Sequence, residues 1–155
     1  MPTTSLTHDL NHNHTLLVGI GNNGRGDDGL GWSLIDKLEK SGLYRGDTIF
    51  RYQLQVEDAE VISHYKTVIF VDACRTLLED GFDVQICKPA LSFAFSTHEI
   101  PPESILHLCQ DLYRKSPQAL LLLIEGKDWS LNMGLSKEGS ANFDKAWNYL
   151  NTEFL

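Results

Sequence analysis

Positive charge is scarce in this chain. Lys and Arg number 13 against 21 Asp and Glu, a formal net charge of −8, and no basic cluster stands apart. Nucleic acid and anionic membrane surfaces are therefore poor partners. Long apolar runs are also missing. The longest, Ala119 to Ile124, falls well short of the roughly 20 residues of a membrane-spanning helix. The polar N-terminus has no apolar signal core, so a cytoplasmic location is expected. Cysteine is sparse and odd in number: Cys74, Cys87 and Cys109 suit neither a disulfide framework nor a paired-cysteine metal site. No HExxH pair and no GxSxG elbow occurs, which removes the usual zinc-peptidase and serine-hydrolase signatures.

What is present is an ordinary globular composition, with 42% hydrophobic residues over 155 positions, enough for one core and one domain. Residues 1 to 14 read as a flexible polar leader carrying His8, His12 and His14, and residues 15 to 155 as the folded domain. Leu16-Leu17-Val18 opens the domain as a short buried strand. Leu30, Leu34, Ile35 and Leu38 then recur at helical spacing up to Ser41-Gly42. Thr48 to Leu54 predicts a second strand, Glu57 to Tyr65 a short helix with Ile62 and Tyr65 inward, and Thr67 to Val71 a third strand apolar throughout. Phe82, Val84 and Ile86 alternate with polar residues, the pattern of an edge strand. Leu91, Phe93 and Phe95 alternate again, as a further strand or a packed loop. Pro101-Pro102 starts a helix with Ile105, Leu108, Cys109 and Leu112 on one stripe. Ala119 to Ile124 is the last buried strand, residues 125 to 137 a long loop, and Phe143 to Phe154 an amphipathic helix. Alternating strands and helices imply an α/β sandwich, mainly parallel, with helices on both faces.

Gly19, Gly21 and Gly24 spell the GxGxxG of dinucleotide-binding loops. Gly26, Gly29 and Gly31 follow, however, and such glycine density delays the helix whose amides would hold a phosphate. Asp27 and Asp28 stand where that anion would lie, and each would repel it by about 1 kcal/mol or more at short range. A cation suits the loop better, with one aspartate available to cap the first helix and its neighbour to face a cleft. Asp72 ends the apolar run of the third strand. In an open parallel sheet, ligands bind at the carboxyl ends of strands where the strand order reverses, and a 2-1-3 order brings Asp28 and Asp72 to that point. His98, in Ser96-Thr97-His98-Glu99, is the third candidate. Two carboxylates and an imidazole make an oxygen and nitrogen donor set with open positions, suited to Zn, Ni, Co or Mn. His64 and His107, on helices without a nearby loop carboxylate, read as structural.

Gly19-Ile20-Gly21-Asn22, Asp27-Asp28-Gly29-Leu30-Gly31, Val71-Asp72-Ala73, Ser96-Thr97-His98 and Gly134-Leu135-Ser136 occur in an order and spacing that resembles the hydrogenase maturation proteases. These endopeptidases trim the C-terminal extension of the large subunit of nickel-iron hydrogenases. The similarity spans roughly residues 15 to 152. It implies a three-layer sandwich around a twisted five-stranded sheet, here ordered 2-1-3-5-4 with one antiparallel edge strand. It also implies that Asp28, Asp72 and His98 form the metal-binding and catalytic cleft of an aspartyl-type peptidase. The partner implied is the hydrogenase large-subunit precursor, cut after nickel insertion. The nickel is the substrate's own, with no tightly held cofactor, although Zn or Cd could occupy the site in vitro. Two features depart from the family pattern. Gly24 stands where many members carry an apolar residue. Gln53-Leu54-Gln55-Val56-Glu57 replaces an Asp-Gly-Gly-Thr-like turn, so Gln53 and Gln55 bear on substrate choice. Trp129 and Met133, in the long loop, are candidates for packing or for meeting the partner.

Two other activities are compatible with parts of the chain. Cys74 with His98 would make a thiol hydrolase, although only Arg75 is at hand to lower the thiol's pKa. The same carboxylates and imidazole could instead serve a docking module that senses nickel occupancy in the precursor without cutting it. If His98 donates to a metal it must be neutral, so cleavage should fall as pH drops below roughly 6. A rate profile of precursor cleavage checks this, and a rate that stays flat on the acid side would contradict it.

Overall fold

The computed structural model describes residues 2–91 and 100–155. Thr15–Ile20 forms β1, buried at every position. Leu30–Ser41 forms α1, closed by Gly42 in the left-handed region. Asp47–Arg51 is β2, Asp58–Ile62 is α2, Thr67–Cys74 is β3 and Phe82–Ile86 is β4. Pro102–Tyr113 is α3, with proline at its start, where no amide partner is needed. Gln118–Glu125 is β5 and Lys137–Glu153 is α4. The five strands make one sheet in the order β2-β1-β3-β5-β4. The β1–β2, β1–β3 and β3–β5 pairs are parallel and β4 runs antiparallel to β5, which is the expected order and the expected edge.

The pleat of the central strands sorts two cores. Leu17, Ile69 and Val71 lie with Leu34, Ile35 and Leu38 of α1 and with Ala146, Leu150 and Phe154 on the α4 side. Leu16, Val18, Val68 and Phe70 lie with Ala59 and Ile62 of α2 and Ile105, Leu106 and Cys109 of α3. Adjacent residues of one strand thus serve opposite layers, which is why β1 and β3 read as unbroken apolar runs rather than alternations.

Several boundaries move. β3 continues past Val71 through Asp72, Ala73 and Cys74, because β5 supplies Leu123, Ile124 and Glu125 as partners; the polar residues had hidden this extension. β2 stops at Arg51 rather than Leu54; the Arg51 carbonyl is taken by the Gly21 amide and the Trp32 indole N–H. α2 ends at Ile62, and the chain winds on to Tyr65 through amide bonds three residues back. On α3 Leu106 joins Ile105 and Cys109 in the core, whereas Leu112 is 58% exposed. Leu91 lies outside any strand, and Phe93 and Phe95 fall outside the described residues.

The expectation of a flexible leader does not hold for residues 2 to 14. The Thr4 amide donates to the Val84 carbonyl at 2.9 Å, Thr3 donates twice to Asp83, and Leu6 is 1% exposed within the α1–α4 core. This stretch covers the outer edge of β4, satisfying backbone groups that would otherwise invite edge pairing. Its polar composition hid Leu6, the hydrophobic side chain that it buries in the core.

Asp27 is fully buried, yet it caps no helix on its own segment. Its carboxylate accepts from the amides of Lys127 at 2.6 Å, Asp128 at 3.0 Å and Ser136 at 2.8 Å, and from the Ser136 hydroxyl at 2.6 Å. Ser136 in turn accepts from the Gly139 amide as the N-cap of α4. Burial alone would raise the pKa of Asp27, but the four donors outweigh it and hold the carboxyl below its ordinary 3.8. One side chain therefore ties the glycine loop after β1 to the long loop after β5.

Replacing Asp27 by Asn turns an amide N–H₂ toward donors that need an acceptor, and should cost at least about 2 kcal/mol at neutral pH. Because the folded pKa is depressed, the stabilisation is present above the unfolded value and is lost as pH falls through the folded one. The stability gap between the wild-type protein and the Asp27→Asn variant should accordingly narrow below pH 3.8. Denaturant titrations of both proteins at neutral and acid pH check this.

Candidate functional site

A cleft of about 460 Å³ opens at the carboxyl ends of β1 and β3, the point where the strand order reverses and ligands of open α/β sheets bind. Two glycines build its floor. Gly21 takes a φ of +139°, and a β-carbon there would lie 2.0 Å from the Asp28 carbonyl oxygen. The chain turns back at this point, with the Asn22 amide donating to that same carbonyl at 3.1 Å and the Asp28 amide donating to the Arg25 carbonyl at 3.1 Å. Gly31, in the first turn of α1, sits where a β-carbon would come 2.6 Å from the Val71 carbonyl. Without a side chain at 31, α1 presses onto the ends of β1 and β3 and delivers the preceding one-turn 3-10 segment, Gly26–Gly29, to the cleft.

The structure brings Asp28 and Asp72 together in the lining of this cleft. Asp28 comes from the one-turn segment and is half-buried, while its neighbour Asp27 points away into the tie described above. The expectation that one of the two aspartates caps α1 is not met: Gly29 holds the N-cap position without a side-chain bond, and Asp27 is engaged by the loop after β5 instead. Asp72 is half-buried in β3, one residue beyond the Gly19–Val71 pair, and accepts from the Ala73 amide at 2.8 Å. That turn-like bond and the cleft-facing position coexist. His98 lies outside the described residues. Among the described residues no group of three or more His, Cys, Asp or Glu is placed to hold a metal ion. The pair supplies hard oxygen donors, a partial set for a divalent cation that brings other ligands of its own.

Cys74 also lines the cleft. Burial pushes its thiol above the ordinary 9.0, and the nearby Glu125 and Asp72 carboxylates push the same way. A thiol so placed stays protonated at neutral pH and is a weak nucleophile, which removes the support for a cysteine hydrolase.

Four lining residues were not read as site residues from the sequence: Arg25, Tyr52, Arg75 and Trp129, the last left open between packing and contact. Arg75 stacks over the Trp129 ring, its guanidinium carbon 4.4 Å from the ring centroid. Tyr52, 67% exposed, lies 5.0 Å from the Trp32 ring. The segment with Gln53 and Gln55 contributes Tyr52, not either glutamine, to the lining; the backbone N–H of Gln55 instead donates to the Asp58 carboxylate. The available signal was positional, since Arg75 directly follows a buried strand at its carboxyl end. No described helix is long and apolar enough to cross a membrane.

Comparison with models of known protein families gives no match. Among curated proteins, the chain is 30% identical over 145 residues to a "Putative hydrogenase maturation protease" of Methanocaldococcus jannaschii, covering 84% of this chain and 90% of that one. The fold is that of the solved hydrogenase maturating endopeptidase HybD from Escherichia coli, with a TM-score of 0.67, 15% identity and 88% of this chain and 89% of that one covered. It is equally that of the [NiFe] hydrogenase maturation protease HycI from Thermococcus kodakarensis, with a TM-score of 0.68, 20% identity and coverage of 92% and 94%. With its sheet order, its acidic cleft and this relative in agreement, the chain belongs to the hydrogenase maturation protease family.

Proposed function

We propose that this peptidase removes the C-terminal extension of a nickel-iron hydrogenase large-subunit precursor after nickel insertion, recognising the precursor through its own nickel. The observation that carries the reading is the convergence of Asp28 and Asp72, 44 positions apart in the chain, on one cleft at the reversal of strand order. His98 is assigned as the third donor. These three side chains approach the open positions of the substrate's nickel and so set the scissile peptide in place. A well-oriented intramolecular step can gain about 7 to 11 kcal/mol over a free encounter. One of the two carboxylates then takes the proton of the attacking water while the cation polarises the scissile carbonyl. No resident cofactor is assigned, and the protein is placed in the cytoplasm.

The reading separates from its rivals by substitution. Asp28→Asn, Asp72→Asn and His98→Ala should each lower precursor cleavage by about 100-fold or more, the scale of a lost general base or positioning group. Cys74→Ser should leave cleavage unchanged. The assay is mass analysis of nickel-loaded and nickel-free precursor after incubation with each variant. Loss of a C-terminal peptide only from the loaded precursor is the expected result. An intact precursor in both samples would point to a docking module, full processing by His98→Ala would remove that residue from the site, and loss of activity in Cys74→Ser would restore the thiol mechanism.

A further inference from the structure

We infer that the cleft carries a carboxylate-binding subsite formed by Arg75 on the face of Trp129, with Arg25 as a second cation at the same opening. The stack is firmly built. The Gly126 amide donates to the Cys74 carbonyl at 2.9 Å, so the chain just before Trp129 is bonded to the chain just before Arg75. Lys127 and Asp128 are both fixed through their amides to the buried Asp27. A β-carbon at Gly126 would come 3.1 Å from two atoms of the indole; with glycine there, the ring packs closely against the main chain. Trp129 is thus a positioned platform.

A guanidinium stacked on an aromatic face keeps its N–H donors in the plane of the group, directed outward, in the fork that matches a carboxylate. Three other cations in this acidic chain already have carboxylate partners: Lys40 with Asp36, Arg51 with Asp58 and Lys127 with Glu125. Among the described residues no carboxylate forms an ion pair with Arg75 or with Arg25, although carboxylates are in excess. Both arginines line the cleft that Asp28 and Asp72 also line. The cleft therefore offers two chemistries side by side: carboxylates for a cation, and a preorganised guanidinium for an anion. Preorganisation matters because an ordinary surface arginine loses much of its gain to the ordering of its side chain.

The occupant is a peptide carboxylate, either an Asp or Glu side chain or a free C-terminus. That this peptide is a stretch of the precursor rests on the function proposed above; carboxylate binding itself does not. The test is an NMR titration of the full-length protein that follows the Arg75 Nε–H and Trp129 indole N–H signals. The probes are acetyl-Ala-Glu-Ala-amide against acetyl-Ala-Gln-Ala-amide for the side-chain source, and acetyl-Ala-Ala-Ala as free acid against its amide for the terminal source. At least one acid should bind about tenfold more tightly than its neutral counterpart, and the pair that discriminates identifies the source. Arg75→Gln should abolish the discrimination and Trp129→Leu should weaken it. Lys115→Gln, at the opposite end of the sheet, should leave it intact. Arg75→Glu should reverse it, favouring acetyl-Ala-Lys-Ala-amide. Equal binding of acids and amides, or discrimination that survives Arg75→Gln, would overturn the proposal. With the precursor as substrate, Arg75→Gln should raise KM about tenfold with little change in kcat. If acid-selective binding is found but no precursor is cut by the wild-type protein, the peptidase reading fails and the subsite stands.

Discussion

The buried carboxylate of Asp27 is the constraint on which the cleft depends. Four donors from two segments about a hundred residues away converge on it, so the loop after β1 cannot move without the loop after β5 and the start of α4. A charge in the interior is costly unless its hydrogen-bonding capacity is met. Here it is met by backbone amides and one hydroxyl, with no cation as partner among the described residues. Such a node favours one arrangement strongly, because any shift of a loop strands a donor. Asp28, the next residue, inherits its position from this node, and Trp129 inherits its own two residues after the bonded Lys127 and one after Asp128.

A second constraint is the absence of side chains at two points. Gly31 lets α1 approach the ends of β1 and β3 closely enough for the Val71 carbonyl to lie where a β-carbon would be. Gly21 turns the chain back at positive φ so that the Asp28 carbonyl closes the loop. The dense glycines that resembled a phosphate-binding loop therefore serve a different purpose. They bring a carboxylate, rather than a helix's bare amides, to the crevice, an arrangement that disfavours a phosphate there.

The sheet order was legible because unbroken apolar runs mark β1, β3 and β5 as covered on both faces, while the alternation of Phe82, Val84 and Ile86 marks an edge. Asp72 was legible because a carboxylate stands where an apolar run stops, and Asp28 because acidic residues end the glycine loop after β1; the topology carries both to one end of the sheet. What escaped was anything resting on single long-range bonds. The role of Asp27 is set by amides at Lys127, Asp128 and Ser136, and no periodicity announces a bond to main chain that far away. Leu6 was lost in a polar context, since one buried side chain has no period to detect. Arg75 and Trp129 were visible as residues but not as a pair, because the stack exists only after β3 and the loop beyond β5 lie side by side. His98 falls outside the described residues, so its place in the set rests on its position in the sequence and the family resemblance.

Charge in the cleft is distributed differently from charge on the molecule. The protein as a whole repels anions, yet this opening is lined by two guanidinium groups as well as two carboxylates. A site for a bare cation would be expected to carry carboxylates alone, since each added arginine lowers the local affinity for positive charge. The cost of placing arginines there is offset if the species to be held is itself mixed, a cation attached to a peptide that also carries an anionic group. The peptide-borne metal proposed above fits that description better than a free ion does. On the proposed function the same mixture would limit errors of recognition: a metal ion without its peptide would meet an opposing field from Arg25 and Arg75, and an acidic peptide without its metal would meet Asp28 and Asp72. Under that proposal a substrate presenting both charges in the right order would satisfy the two halves of the cleft together, a discrimination that needs no deep pocket, only the fixed spacing that the Asp27 node imposes.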